Sequence, residues 1–127
     1  MSQVLVDTSV WISFFRGDEP AQVLFPLLDA NRVCVNELIL AELVPSLKHR
    51  REDTIIDMLQ AIERLELRIM WPQITEMQVM NLKAGINKVG IPDLILAQNA
   101  LQNALPILSF DKHFELMRES TGLQLYA

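Results

Sequence analysis

The sequence predicts one α/β domain over residues 1–127, with a mainly parallel sheet of four or five strands and helices on both faces. Three observations predict it. Short β-type runs alternate along the chain with longer segments of helical periodicity. No repeat, linker or low-complexity tract interrupts the alternation. A length of 127 residues is that of one domain. Strands joined through helices pair in parallel and are covered on both faces.

The first strand is Gln3 to Val6, and Asp7-Thr8-Ser9 behind it supplies three helix-capping side chains before Val10-Trp11-Ile12. Gly17-Asp18-Glu19-Pro20 breaks that helix. Val23, Leu24, Leu27 and Leu28 then recur at helical spacing around Pro26, which predicts a second, kinked helix. Arg32 to Val35 is the second strand, and Asn36 caps a helix running from Glu37 toward Lys48-His49-Arg50-Arg51, where cations suit the helix dipole. Ile55, Ile56, Leu59, Ile62 and Leu65 form the apolar stripe of the next helix, and Leu67 to Met70 is the third strand. Thr75 and Gln78 have capping-box spacing, opening a helix through Met77, Met80 and Leu82 that ends at Gly85 or Gly90. Pro92 opens a helix over Asp93 to Leu105. Pro106 to Phe110 is the fourth strand, Asp111 to Glu119 the last helix, and Leu123 to Tyr126 a closing strand after Gly122.

Half the residues are hydrophobic and only 21% are charged, which excludes a disordered chain and provides for a real core. No apolar run approaches the roughly 18 residues that span a bilayer. Met1-Ser2-Gln3 lacks the cationic lead of a secretory signal, so a soluble, cytoplasmic protein is the expectation. The single cysteine, Cys34, lies in an apolar run and reads as a small core residue. A balance of 11 basic against 16 acidic residues argues against a protein that coats nucleic acid with positive charge. Carboxylates gathered around cations would change that inference, because bulk charge then says little about the surface a phosphodiester meets.

Ligands in open α/β sheets bind beyond the carboxyl ends of the strands. The first predicted strand ends at Asp7 and the fourth at Asp111, which puts two acids on one rim. Glu42 is the only polar residue from Leu38 through Val44, and Asp93 precedes Leu94-Ile95-Leu96-Ala97 in a similar setting. Burying a lone carboxylate is costly, so both acids call for a donor, a cation or a metal beside them. Helix capping explains Asp7 and Asp111 equally well, the helix dipole suffices for Asp93, and Glu42 faces solvent if the stripe of Ile39, Leu40, Leu43, Val44 and Leu47 faces the core. Glu37 rivals Glu42 from the same helix. His49 and His113 read as surface residues, and Trp11, Phe14 and Phe15 as core. The chain has no glycine-rich phosphate cradle, G-x-S-x-G, H-E-x-x-H or Cys/His zinc spacing. Hard oxygen donors without His or Cys suit Mg²⁺ or Mn²⁺.

Four stretches together resemble the PIN-domain nucleases, and within them the VapC-type toxin ribonucleases of toxin–antitoxin pairs. They are Val6-Asp7-Thr8-Ser9-Val10-Trp11-Ile12, Ala41-Glu42-Leu43, Gly90-Ile91-Pro92-Asp93-Leu94-Ile95-Leu96-Ala97, and Leu108-Ser109-Phe110-Asp111-Lys112-His113-Phe114. The resemblance implies a three-layer fold and four acids, here Asp7, Glu42, Asp93 and Asp111, around one or two Mg²⁺ or Mn²⁺ ions. Asp7 and Asp93 would be the central ligands, Thr8 or Ser9 would bond at the site's edge, and Ser109 takes the small hydroxyl position. It also implies cleavage of RNA to a 5′-phosphate and a 3′-hydroxyl, a small cognate antitoxin and a homodimer. Arg16, Lys48, Arg50, Arg51 and Lys112 would guide the RNA backbone. Two departures stand out. Val44-Pro45-Ser46 replaces a frequent glycine, which predicts a broken helix and an altered groove, and Gln98 replaces a smaller residue, which predicts a narrowed site. Other readings are a PIN nuclease that is not a toxin, a Mg²⁺-binding receiver-like module, a Mg²⁺ phosphatase, and a binding module without catalysis. Asp7 lacks the neighbouring acid that receivers and such phosphatases carry.

Overall fold

A computed structural model describes residues 2–126 of the chain. Its sheet has four parallel strands, β1 (Val4–Val6), β2 (Val33–Val35), β3 (Glu63–Arg64) and β4 (Ile107–Leu108), in the order β3-β2-β1-β4. Register pairs Val4 with Val33 and Leu5 with both Cys34 and Ile107. β1 and β2 are buried along their whole length, the pattern of strands covered on both faces. Seven helices surround the sheet among the described residues: α1 (Thr8–Phe15), α2 (Leu24–Asp29), α3 (Glu37–His49), α4 (Asp53–Gln60), α5 (Trp71–Lys83), α6 (Ile91–Gln102) and α7 (Lys112–Thr121). The first four pack as one group and the last three as another, completing a three-layer α/β sandwich.

β2 and β3 lie on one side of β1 and β4 on the other. The chain therefore reverses its winding between β1 and β4, and the crevice past their carboxyl ends is the place where such sheets bind ligands.

Several expectations are corrected. Pro26 produces no kink: a 3₁₀ turn over Glu19–Val23 precedes α2, and Pro26 falls in the first turn of α2, where its missing N–H has no intrahelical partner to lose. Pro45 does not break α3 either. The helix runs through Val44, Pro45 and Ser46 to His49, with Asn36 capping it through a 2.9 Å bond to the Ile39 N–H. The apolar stripe of α4 buries Ile56 and Leu59 and the helix packs on α3, but it stops at Gln60, and the third strand is Glu63–Arg64 rather than Leu67 to Met70. The predicted closing strand shrinks to one parallel bridge, Leu125 with Ile107.

The 67–70 segment has the alternating burial of a strand but pairs with no strand among the described residues. Side-chain amides of α6 take the place of one. Asn99 Nδ2 donates to the Glu66 carbonyl at 3.0 Å, Gln102 Nε2 to the Arg68 carbonyl at 2.8 Å, and Gln98 both accepts from the Met70 N–H and donates to the Met70 carbonyl at 3.1 Å. This clamp starts α5 at Trp71-Pro72, ahead of the predicted capping box. Gln78 instead donates to the Val89 carbonyl at 2.7 Å, and α5 ends at Gly85, whose φ of +80° suits glycine. Gln98 is buried and turned toward Met70 and Gln73, so it does not narrow the site. We expect Gln98→Ala to cost about 1–2 kcal/mol in urea unfolding, because it strips partners from the Met70 backbone. A loss below ~0.5 kcal/mol, the usual range of inert surface changes, would contradict the clamp.

Cys34 is buried at the centre of β2, as expected of a core residue, and burial, with Glu63 adding to it, pushes its thiol up to about 11. Such a thiol is unreactive at neutral pH. No helix among the described residues is long and apolar enough to cross a membrane.

Candidate active site

At the winding reversal the Asp7 N–H donates to the Leu108 carbonyl at 2.9 Å, so the chain leaving β1 and the chain leaving β4 lie side by side. Asp7 is the N-cap residue of α1, yet its side chain makes no capping bond. Its Oδ2 instead accepts from Ser9 Oγ at 2.7 Å and from Ser109 Oγ at 2.8 Å. Capping therefore does not explain Asp7. The two serines are themselves anchored, since the Phe110 N–H donates to Ser9 Oγ at 3.1 Å and the Asp111 N–H to Ser109 Oγ at 2.9 Å. Asp7 is buried and its carboxylate is oriented by residues from both strand ends.

Asp111 caps α7, accepting from the His113 N–H at 2.9 Å. Asp93 lies in the first turn of α6, behind Gly90 and Pro92. The two acids meet at one imidazole: His113 Nδ1 is 3.0 Å from Asp93 Oδ2 and 3.4 Å from Asp111 Oδ1. Burial raises the Asp93 carboxyl above its ordinary value. The His113 hydrogen bond and charge oppose that rise, and the charges of Asp111 and Asp7 add to it. Negative charge is thus in excess here, although the amino ends of α6 and α7 favour it.

The proposed acids are not equivalent in place. Among the described residues, Asp93, Asp111 and His113 are the group whose ligating atoms lie within 4.8 Å of one another. Asp7 stands beside them, acting on Asp93 through its charge. Glu42 is exposed on α3, not buried, and accepts from Thr8 Oγ1 at 2.8 Å. Glu37 is no rival, because its carboxylate pairs with Arg64 at 2.7 Å beside β3. The reading of His113 as a surface residue is corrected: it is partly buried between two acids. Its position two residues after Asp111, in the first turn of the same helix, is the only signal in the sequence that places it there.

The PIN domain family model matches residues 4–119. The chain belongs to the PIN-domain family. PIN domains are as a family nucleases and usually employ a divalent metal. Among solved structures, the PIN fold here is similar to FitAcB from Neisseria gonorrhoeae, at 14% identity and a TM-score of 0.72, covering 98% of this chain and 97% of that one. It is similar to DNA-bound VapBC from Salmonella typhimurium, at 16% identity and a TM-score of 0.73, covering 99% and 98%. VapBC2 from Rickettsia felis, bound to a promoter DNA fragment, matches at 15% identity and a TM-score of 0.74, covering 97% and 96%. By sequence, no curated protein matches the chain. The donor set of this PIN domain fits a divalent ion. Carboxylates converge on a half-buried place where charge repulsion is only partly relieved by one imidazole.

Proposed function

We propose that the protein is a metal-dependent endoribonuclease and the toxin of a toxin–antitoxin pair, acting as one PIN domain over residues 1–127. The observation that carries the reading is the cluster of Asp93, Asp111 and His113 at the winding reversal of a PIN fold, with Asp7 near enough for its charge to act on Asp93. These three acids, with Glu42 at the rim, would hold Mg²⁺ or Mn²⁺. When bound there, such an ion would supply an activated water and would neutralise phosphate oxygens. Ser9 and Ser109 keep Asp7 in one orientation, so the carboxylate pays little ordering entropy when it binds. Thr8 holds Glu42 at the rim.

Arg16 and Arg50 face a groove with Glu42, Ile12, Phe15 and Leu43 between α1, α3 and α4. Lys112 borders a smaller cleft with Ser109, Phe110 and Asp111. An RNA backbone crossing from one to the other passes Glu42 and Asp111 and meets cations on both sides, whereas Lys48 and Arg51 are exposed but do not line the groove. The likeness to VapBC and FitAcB supports a small cognate antitoxin that masks this groove. A cytoplasmic homodimer completes the reading. Trp11 is fully buried and does not serve as its surface, whereas Trp71, Val79, Leu82 and Ile91 are exposed together on and beside α5.

The test is incubation of the purified chain with single-stranded and hairpin RNAs in Mg²⁺ or Mn²⁺. Cleavage leaving 5′-phosphate ends, and silenced by EDTA, is the expected result. No metal-dependent cleavage of any RNA in the set would overturn the proposal.

A further inference from the structure

We infer that His113 is itself a ligand of the ion this site holds, through Nδ1 beside Asp93 and Asp111, and that it shifts the site's preference from Mg²⁺ toward a later first-row ion. The inference rests on the metal-site reading above. Neighbouring ligands of an octahedral ion with bonds of about 2.1 Å lie about 3.0 Å apart. Nδ1 stands 3.0 Å from Asp93 Oδ2 and 3.4 Å from Asp111 Oδ1, so the three donors need little rearrangement to share one ion. A neutral imidazole with its hydrogen on Nε2 presents a lone pair at Nδ1.

The elements carrying these donors are rigid. Asp93 is in the first turn of α6 and His113 in the first turn of α7, and those helices pack on each other. His113 is held further by its own N–H, which donates to Asp111 Oδ1. Chemistry then decides selectivity. Carboxylates suit Mg²⁺ and Mn²⁺, whereas an imidazole nitrogen adds affinity for ions later in the Irving–Williams order, such as Co²⁺ or Zn²⁺, and little for Mg²⁺. A histidine that only neutralised Asp93 would have to be displaced by the ion, and removing it would tighten binding. The two roles differ in sign.

Isothermal titration of the full chain with Co²⁺ and with Mg²⁺ measures that sign, and Co²⁺ absorption reports nitrogen coordination. His113→Ala and His113→Asn should each lower Co²⁺ affinity by about tenfold or more, change Mg²⁺ affinity far less, and alter the Co²⁺ spectrum. His113→Asn keeps a donor toward Asp93, so it serves if the alanine variant fails to fold. Unchanged or tightened Co²⁺ binding in the His113 variants, with binding lost in Asp93→Asn, would overturn the inference and leave the site standing. Parent-like binding of both ions by Asp93→Asn would overturn the site and the inference together.

Discussion

Asp93→Asn lowers RNA cleavage by at least about a hundredfold, more than the loss of a residue that merely supports a metal ligand, and raises the melting temperature of the protein in EDTA. Both effects come from one carboxylate. Burial, Asp111 and Asp7 raise the folded Asp93 carboxyl from its ordinary 3.8, against the opposing pull of His113. A carboxyl raised on folding binds its proton more tightly in the folded state, so its stabilising contribution is complete below the unfolded value and is lost as pH rises through the folded one. At neutral pH ionised Asp93 therefore weighs against the metal-free fold, and asparagine relieves it. The difference in melting temperature should fade as pH falls toward 4. Saturating Mn²⁺ reverses the order, because an ion at about a hundred times its Kd adds roughly 2.7 kcal/mol to the parent and far less to the variant. Cleavage at the parent rate would remove Asp93 from the site, and a melting difference in EDTA that does not depend on pH would contradict the electrostatic cause.

Trp11→Ala costs about 3–5 kcal/mol, the largest stability loss expected of a single change, and lowers the melting temperature of a chain this size by roughly 10–20 °C. Trp11 is completely buried on α1, with ring centroids 6.2 Å from Phe14 and 5.8 Å from Phe15. Truncation empties a fully buried space beside Phe14 and Phe15. It also loosens the helix that begins at Asp7, so metal affinity should fall along with stability. Trp11→Phe should cost much less than alanine, since it keeps a ring in the stack and removes a buried Nε1 donor that has no partner among the described residues. Equal losses for Phe and Ala would show that ring packing is not what holds α1 in place. Thermal melts of the two variants under identical buffer decide between these outcomes.

Much of the site was legible because it depends on strand ends. Asp7 follows a short β-branched run and Asp111 a short apolar segment after Pro106, and parallel strands must deliver both to the same edge. Asp93 was legible as a helix-opening acid behind Pro92. The division of labour among the acids was not. Asp7 and Asp111 have the same local signature, a capping residue before a helix, yet Asp111 caps and Asp7 does not, because Ser109 comes from the far end of the chain to take its oxygen. Glu42 sits in an apolar stretch that suggested burial, but α3 turns it to the rim, where Thr8 meets it.

By itself the sequence determined the alternation of helices with a parallel sheet and that Asp7 and Asp111 emerge beyond its carboxyl edge, since periodicity, capping and turn residues act over a few neighbours. Tertiary structure alone decided that His113 bridges Asp93 and Asp111, that α6 amides replace a strand along the segment ending at Met70, and that α3 continues through Pro45. The first two join groups 20 to more than 30 residues apart, as the packing of α6 against α7 and the 66–70 segment requires. The third is a local penalty outweighed by the burial of Ile39, Leu40, Leu43 and Leu47 on one helix face. Long-range contacts and burial leave no local pattern from which they can be read.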